Sequence, residues 1–144
     1  LLAARWVIEI EGEAMAEHPN VVRIRDGYAA FSKGNTARLN DFFAEDIVWH
    51  VGGRGQLAGD YRGREAVYGF FGKLNELTVG SFHIDVHAIL ADDEHGVALV
   101  VGNASRDGRS IKTNDVHVFH MHDGKVVEFW GASTDQYSGD ELFA

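Results

Sequence analysis

The hydrophobic period of this chain changes near residue 80, and that change limits the fold more than any single motif does. Before it, apolar residues recur at three- and four-residue steps: Val21, Ile24, Tyr28 and Phe31, then Leu39, Phe42 and Phe43, then Val67, Phe70, Phe71 and Leu74. Such spacing puts one apolar stripe on each of three helices. After it, Phe82, Ile84, Val86 and Ala88 alternate with His83, Asp85 and His87, the pattern of a strand with one face on a core. Helices gathered in one half and strands in the other describe an α+β layer architecture, with helices covering one face of a sheet.

Local signals set the boundaries. Pro19 stands near the start of the first helix and Gly34 near its end. The second helix is expected over Thr36 to Ala44, capped by Asn35 or Thr36. Ile47 to Val51 reads as a strand, and the glycine-rich stretch from Gly52 through Gly63 as a loop. Arg64 to Leu77 forms the third helix, although Gly69 and Gly72 each cost it about 1 kcal/mol. Strands follow over Val97 to Ser105, Ile111 to Met121 and Val126 to Thr134, joined by Asp107-Gly108 and Asp123-Gly124, dipeptides suited to tight hairpin turns. The result is an antiparallel meander.

Residues 1–17 read as an N-terminal extension and 18–144 as a single domain, with Met15 a candidate natural start. In the extension Trp6, Ile8 and Ile10 alternate like a short half-buried strand, an amphipathic helix being the competing reading. Arg5, Glu9, Glu11 and Glu13 break up this apolar patch, so it neither spans a membrane nor serves as a secretory core.

Composition narrows the function. Thirteen Lys and Arg against 22 Asp and Glu give a formal charge of -9, which repels phosphate backbones and anionic lipid, so neither nucleic acid nor membrane is expected as a partner. The absence of Cys removes disulfide and thiolate chemistry and fits a cytoplasmic protein. No phosphate loop, nucleophile elbow or dinucleotide fingerprint is present, and no cofactor is expected.

Three groups of residues carry a family resemblance: Phe42-Phe43-Ala44-Glu45-Asp46 before Ile47-Val48-Trp49-His50, Tyr61-Arg62-Gly63-Arg64-Glu65-Ala66-Val67 at the third helix entry, and Val116-His117-Val118-Phe119 followed by Asp123-Gly124-Lys125-Val126. Together they resemble the SnoaL-like branch of the nuclear transport factor two-like superfamily, which includes ketosteroid isomerase, scytalone dehydratase, limonene epoxide hydrolase and the SnoaL polyketide cyclases. The resemblance implies a cone-shaped curved antiparallel sheet wrapped around three N-terminal helices, an α+β barrel with a deep apolar pocket. It also implies a homodimer paired through the outer face of the sheet.

Carried over position by position, the resemblance departs from the known mechanisms. The base carboxylate of ketosteroid isomerase falls on Val51, its helix tyrosine on Gly27 beside Tyr28, and its oxyanion-hole aspartate on His117. The Asp-Arg-Asp arrangement of limonene epoxide hydrolase is missing, because the strand from Ile111 to Met121 holds no Arg.

Alternation puts Thr113, Asp115, His117, Phe119 and Met121 on one face of that strand, and the resemblance turns His117 into the pocket. There an imidazole can accept and donate a proton, and a nearby carboxylate, Asp135 or Asp115, would raise its pKa and fix its tautomer. Tyr28 is expected to donate its phenol to a ligand oxygen. The catalytic candidates are therefore His117, Asp135, Asp115 and Tyr28. Trp49, Val51, Tyr61, Phe119, Phe129 and Gly131 are the substrate-lining candidates, with His50 joining them if its strand bulges. Gly102, Ala104 and Gly131 would enlarge the pocket. The H-x-D-x-H row of His83, Asp85 and His87 has metal-ligand chemistry, but it falls on the outer face and no metal is assigned. The resulting expectation is a cofactor-independent acid–base enzyme, an isomerase, dehydratase or cyclase acting on an apolar cyclic oxygenated molecule. The alternative is a non-catalytic protein that binds a small hydrophobic ligand.

Overall fold

The computed structural model describes residues 17–144, so the reading of Trp6 to Ile10 lies outside the described residues. Along the chain run α1 (Pro19–Ser32), α2 (Thr36–Phe42), β1 (Phe43–Val51), β2 (Gly59–Arg62), α3 (Arg64–Thr78), β3 (His83–Ala91), β4 (His95–Arg106), β5 (Arg109–His122), β6 (Lys125–Ser133) and α4 (Gln136–Leu142). The strands form one sheet in the order β2-β1-β6-β5-β4-β3. From β3 to β6, neighbours pair antiparallel in chain order. Asp107 and Gly108, and likewise Asp123 and Gly124, all have positive φ, the backbone of a two-residue hairpin turn that follows the sheet's twist.

The sheet corrects the expected barrel in two ways. It is mixed, because β1 lies parallel to β6 along Val48 to His50, and it is open, with β2 and β3 as separate edges. Closure needs two edges of matching length and stagger. Here β2 has only four residues, and the chain leaves it through Gly63 straight into α3, which packs on β1 and β2. The fold is an α+β layer structure with helices on one face of an open mixed sheet.

Other expectations also shift. The stretch expected to be loop contains β2, paired with β1 from Val48–Arg62 to Val51–Gly59. Helix α2 stops at Phe42 because Phe43 is already extended. The Phe43 ring is buried among Trp49, Tyr68 and Phe71. In β3 the register skips His87 between Val86 and Ala88, a bulge that reverses which side chains face inward. Ile84, Ile89 and Ala91 therefore pack on the core, while Val86 is 38% exposed. Helix α4 has no counterpart in the sequence reading.

Helix α1 packs on β3 and β4 and is anchored along its length. Ile24 is fully buried, and a Cβ at Gly96 would collide with its Cδ1. Gly27 lets the Phe42 ring approach, since a Cβ there would lie 2.5 Å from Phe42 Cε2. Buried Asn20 donates through Nδ2 to the carbonyls of Asp92 at 2.9 Å and Asp93 at 3.2 Å, tying the helix start to the β3–β4 turn.

One residue is strained without an apparent return. Val79 ends α3 in the left-handed region at φ 52° and is 89% exposed, a conformation that costs an L-residue with a branched Cβ about 1–2 kcal/mol. Val79→Gly is expected to raise stability by about 1 kcal/mol in urea unfolding. An unchanged or lower midpoint would show that the strain is not felt.

Candidate active site

Alternation along three neighbouring strands builds one wall of an internal cavity of about 240 Å³. Strand β5 contributes Thr113, Asp115, His117 and Phe119, β4 contributes Gly102 and Ala104, and β6 contributes Phe129, Gly131 and Ser133. From β1 come Trp49 and Val51, while Tyr28 and Phe31 of α1 and Phe70 and Phe71 of α3 close the other side. Trp49 lies flat on Phe129, with ring centroids 3.6 Å apart and 13° between planes, so a parallel aromatic pair bridges β1 and β6. The rim, at Gly52, Gln136 and Asp135, is exposed.

Two polar groups stand on these apolar walls. The Tyr28 hydroxyl is 2.6 Å from His117 Nδ1. No carboxylate hydrogen-bonds the ring, so burial dominates and pushes the His117 pKa down to about 4, the reverse of the expected direction. Burial also raises the Tyr28 phenol well above its usual value. Both groups are neutral at pH 7 and hold two exchangeable protons between them. When the phenol donates to Nδ1, Nε2 presents an N–H; when Nδ1–H donates to the phenolic oxygen, Nε2 presents a lone pair. Nε2 has no hydrogen-bond partner among the described residues, yet Asp115 Oδ1 is the only buried and unpartnered side-chain N or O among them. Nε2 is therefore open to the cavity. Gly131 keeps that space clear: a Cβ there would sit 3.8 Å from Nε2 and 3.5 Å from Cδ2.

The second polar group is Asp115. Thr113 Oγ1 donates to its Oδ2 at 3.1 Å, and Oδ1 is buried with no partner. Gly102 on the adjacent strand makes room, since a Cβ there would lie 2.9 Å from Oδ2.

The remaining polar candidates lie at the rim or outside the cavity. Asp135 does not reach His117; it caps α4, accepting from Ser138 N at 3.1 Å and Ser138 Oγ at 2.6 Å, and these bonds hold its carboxyl below the usual range. Asp135→Ala should therefore lower the melting temperature by fraying α4; an unchanged melting temperature would show that the cap is not felt. Tyr61 donates its hydroxyl to the Leu57 carbonyl at 2.7 Å and packs on Phe70, outside the cavity lining. The His50 imidazole leaves the cavity for the outer sheet face, held between Asp60 and Glu128 at 2.7 Å each and stacked on Trp130. Those two carboxylates raise its pKa. His83 and Asp85 are exposed, with His87 at the bulge, and no cluster of three or more potential metal ligands occurs among the described residues.

The two histidines give stability opposite pH dependences. For His117 the folded pKa of about 4 lies below the 6.5 of a free imidazole, so the unfolded chain binds the proton more readily. Stability is complete above pH 6.5 and falls as pH drops toward 4, by about 3 kcal/mol in total. His50, with its pKa raised, contributes stability that is present at low pH and lost as pH rises through its folded value. Urea midpoints at pH 7 and pH 4.5 should differ less in His117→Phe than in wild type. An equal difference would show that the ring titrates normally.

A SnoaL-like domain model matches residues 24–129, most of the described chain. The chain belongs to the SnoaL-like family. Among structures, Bal32a from a soil-derived mobile gene cassette is 32% identical and superposes with a TM-score of 0.84, covering 88% of this chain and 97% of that one. IdmH from Streptomyces antibioticus, a candidate polyketide cyclase, shares the fold at 22% identity and a TM-score of 0.67, over 82% and 94% of the chains. The uncharacterized protein Rv0034 of Mycobacterium tuberculosis is 26% identical over 129 residues, 85% of this chain and 98% of its own. An NTF2-like protein of unknown function from Burkholderia pseudomallei shares the fold at 22% identity and a TM-score of 0.78, over 88% and 98% of the chains. Among the described residues no helix is long and apolar enough to cross a membrane.

Sequence reasoning missed Asn20, whose burial next to Pro19 left no periodic trace, and α4. The signal for α4 was Asp135 followed three residues later by Ser138, with Leu142 one turn further on and 4% exposed.

Proposed function

We propose that this SnoaL-like protein is a cofactor-independent enzyme that polarises a carbonyl or hydroxyl oxygen of a small cyclic compound held in the cavity. The observation that carries this is the Tyr28–His117 pair, with Nε2 open to an apolar hollow. A neutral imidazole backed by a phenol donates well and accepts a full proton poorly, so its best use is to hydrogen-bond an oxygen on which negative charge develops. Isomerisation, dehydration and cyclisation through an enolate all need such a donor. The fold shared with IdmH supports the same class of chemistry. A cavity of about 240 Å³ lies just below the range of roughly 300–1,000 Å³ usual for small-molecule sites, and it suits one or two rings better than four.

The absence of a carboxylate on His117 favours the second reading, a binding protein without turnover. The two part on an assay that needs no knowledge of the natural substrate. Deuterium incorporation at the carbons beside the carbonyl of 2-tetralone, followed by proton NMR in D2O, should be accelerated by the wild-type protein, with solvent or buffer base taking the α-proton while Nε2–H stabilises the enolate oxygen and D2O returning the deuteron. Binding of 2-tetralone without acceleration would leave the binder reading. Pairing through the outer sheet face, where Leu99 is 38% exposed beside half-buried Val118 and Trp130, belongs to the same proposal, and a monomer by light scattering would remove it.

A further inference from the structure

A second hollow, of about 430 Å³, adjoins the first among α1, α2, α3 and the start of β3. Tyr28, Phe31, Leu39, Phe71, Leu74 and Phe82 line both spaces, so the two share one aromatic wall. Within that wall the Phe31 ring meets Phe71 edge to face at a centroid distance of 4.9 Å and Phe82 at 6.2 Å. Phe31 is only half-buried. Farther out the lining becomes polar, with Ser32, Thr36, Asn75 and His83 exposed at the rim. Gly72 also lines this space, and a Cβ there would meet no described atom within 4 Å. Protein interiors pack with few voids larger than a water molecule, so a hollow of this size beside the first needs an occupant.

We propose that the two hollows take one ligand, whose ring and oxygen lie in the first beside His117 and whose unbranched aliphatic chain runs past Phe31 into the second. The proposal rests on reading the first hollow as a small-molecule site. The shared wall suits a hydrocarbon: its residues are apolar apart from Tyr28, whose hydroxyl is already engaged by His117. No polar group on the boundary is therefore left unpaired when a methylene chain covers it. A chain is favoured over a further ring because it must pass between aromatic side chains in contact, and a row of methylenes is the thinner group. One edge-to-face contact is a modest restraint, so turning the Phe31 ring opens the way without moving the backbone. Size points the same way: the first hollow falls just below the usual range for small-molecule sites and the second falls within it. The ligand class is accordingly a cyclic ketone or alcohol bearing an aliphatic chain of several carbons, which ends at the polar rim.

Three phenyl ketones of increasing chain length test this by isothermal titration of the full chain: acetophenone, butyrophenone and hexanophenone. Wild type should gain about 4-fold in affinity for each added methylene, the size expected when a methylene leaves water for an apolar space. Two variants then obstruct the second hollow from different helices, Gly72→Trp from α3 and Ser32→Trp from α1, and neither residue lines the first hollow. Each should weaken hexanophenone by about 10-fold or more while acetophenone binds as in wild type. Gly72→Trp also replaces a helical glycine by a better helix former, so the variant is expected to fold. Affinity that stops rising after acetophenone in wild type overturns the proposal and leaves the first hollow standing as a site. A gain with chain length that survives both obstructions also overturns it, because the chain then leaves by the rim at Gly52 and Gln136. If none of the three ketones binds, the small-molecule reading of the first hollow falls and the proposal falls with it.

Discussion

His117→Ala should slow deuterium exchange into 2-tetralone by about 100- to 1,000-fold, the range associated with losing one oxyanion-stabilising donor, while the protein keeps its fold. The loss arises because Nε2 is the cavity-facing atom of the Tyr28–His117 pair and supplies the hydrogen bond to the carbonyl oxygen in the proposed reaction. Tyr28→Phe should cost less, since the ring remains but loses the group that sets which nitrogen carries the proton. Combining the two changes should cost little more than His117→Ala alone, as for groups that act as a unit. Exchange that continues unchanged in His117→Ala would remove this residue from the chemistry, and circular dichroism would show whether the variant is folded.

The second large effect is on stability. Ile24→Ala should destabilise the chain by about 2–5 kcal/mol, because a fully buried side chain is replaced by a void under α1. Its contact with the Gly96 backbone makes the prediction sharper. Gly96→Ala drives a Cβ into Ile24 Cδ1 and should destabilise on its own. Ile24→Val removes that methyl at a cost of about 0.5–1.5 kcal/mol and should make Gly96→Ala tolerable. Urea midpoints at constant slope would measure the cycle. Strict additivity would mean that helix and strand do not meet as described.

Features with a local cause could be read from the sequence, and those set by distant pairing could not. The inward face of β5 was legible because Thr113, Asp115, His117 and Phe119 keep an unbroken period of two, and the Asp-Gly turns because only a few residues accept that backbone. The bulge at His87 broke the same rule in β3, and nothing in the residues around it signals a skipped partner. The β1–β6 pairing joins segments about eighty residues apart and leaves no trace in either. The site divided in the same way. Tyr28 and His117 were each identified, but the partner expected for the imidazole was a carboxylate. Asp135 is not available for that role because Ser138, three residues on, claims both its oxygens, a short-range competition that favours Asp at helix starts.

The parallel seam between the first and last strands has a consequence during synthesis. A chain leaving the ribosome exposes Trp49 and the bare edge of β1 long before Phe129 exists to cover them. Until β6 emerges, that edge is free to recruit a strand from another molecule. Translation stopped short of residue 125 should therefore yield sticky fragments rather than a smaller working protein, and the hollow that would receive a ligand is among the last parts of the molecule to come into being.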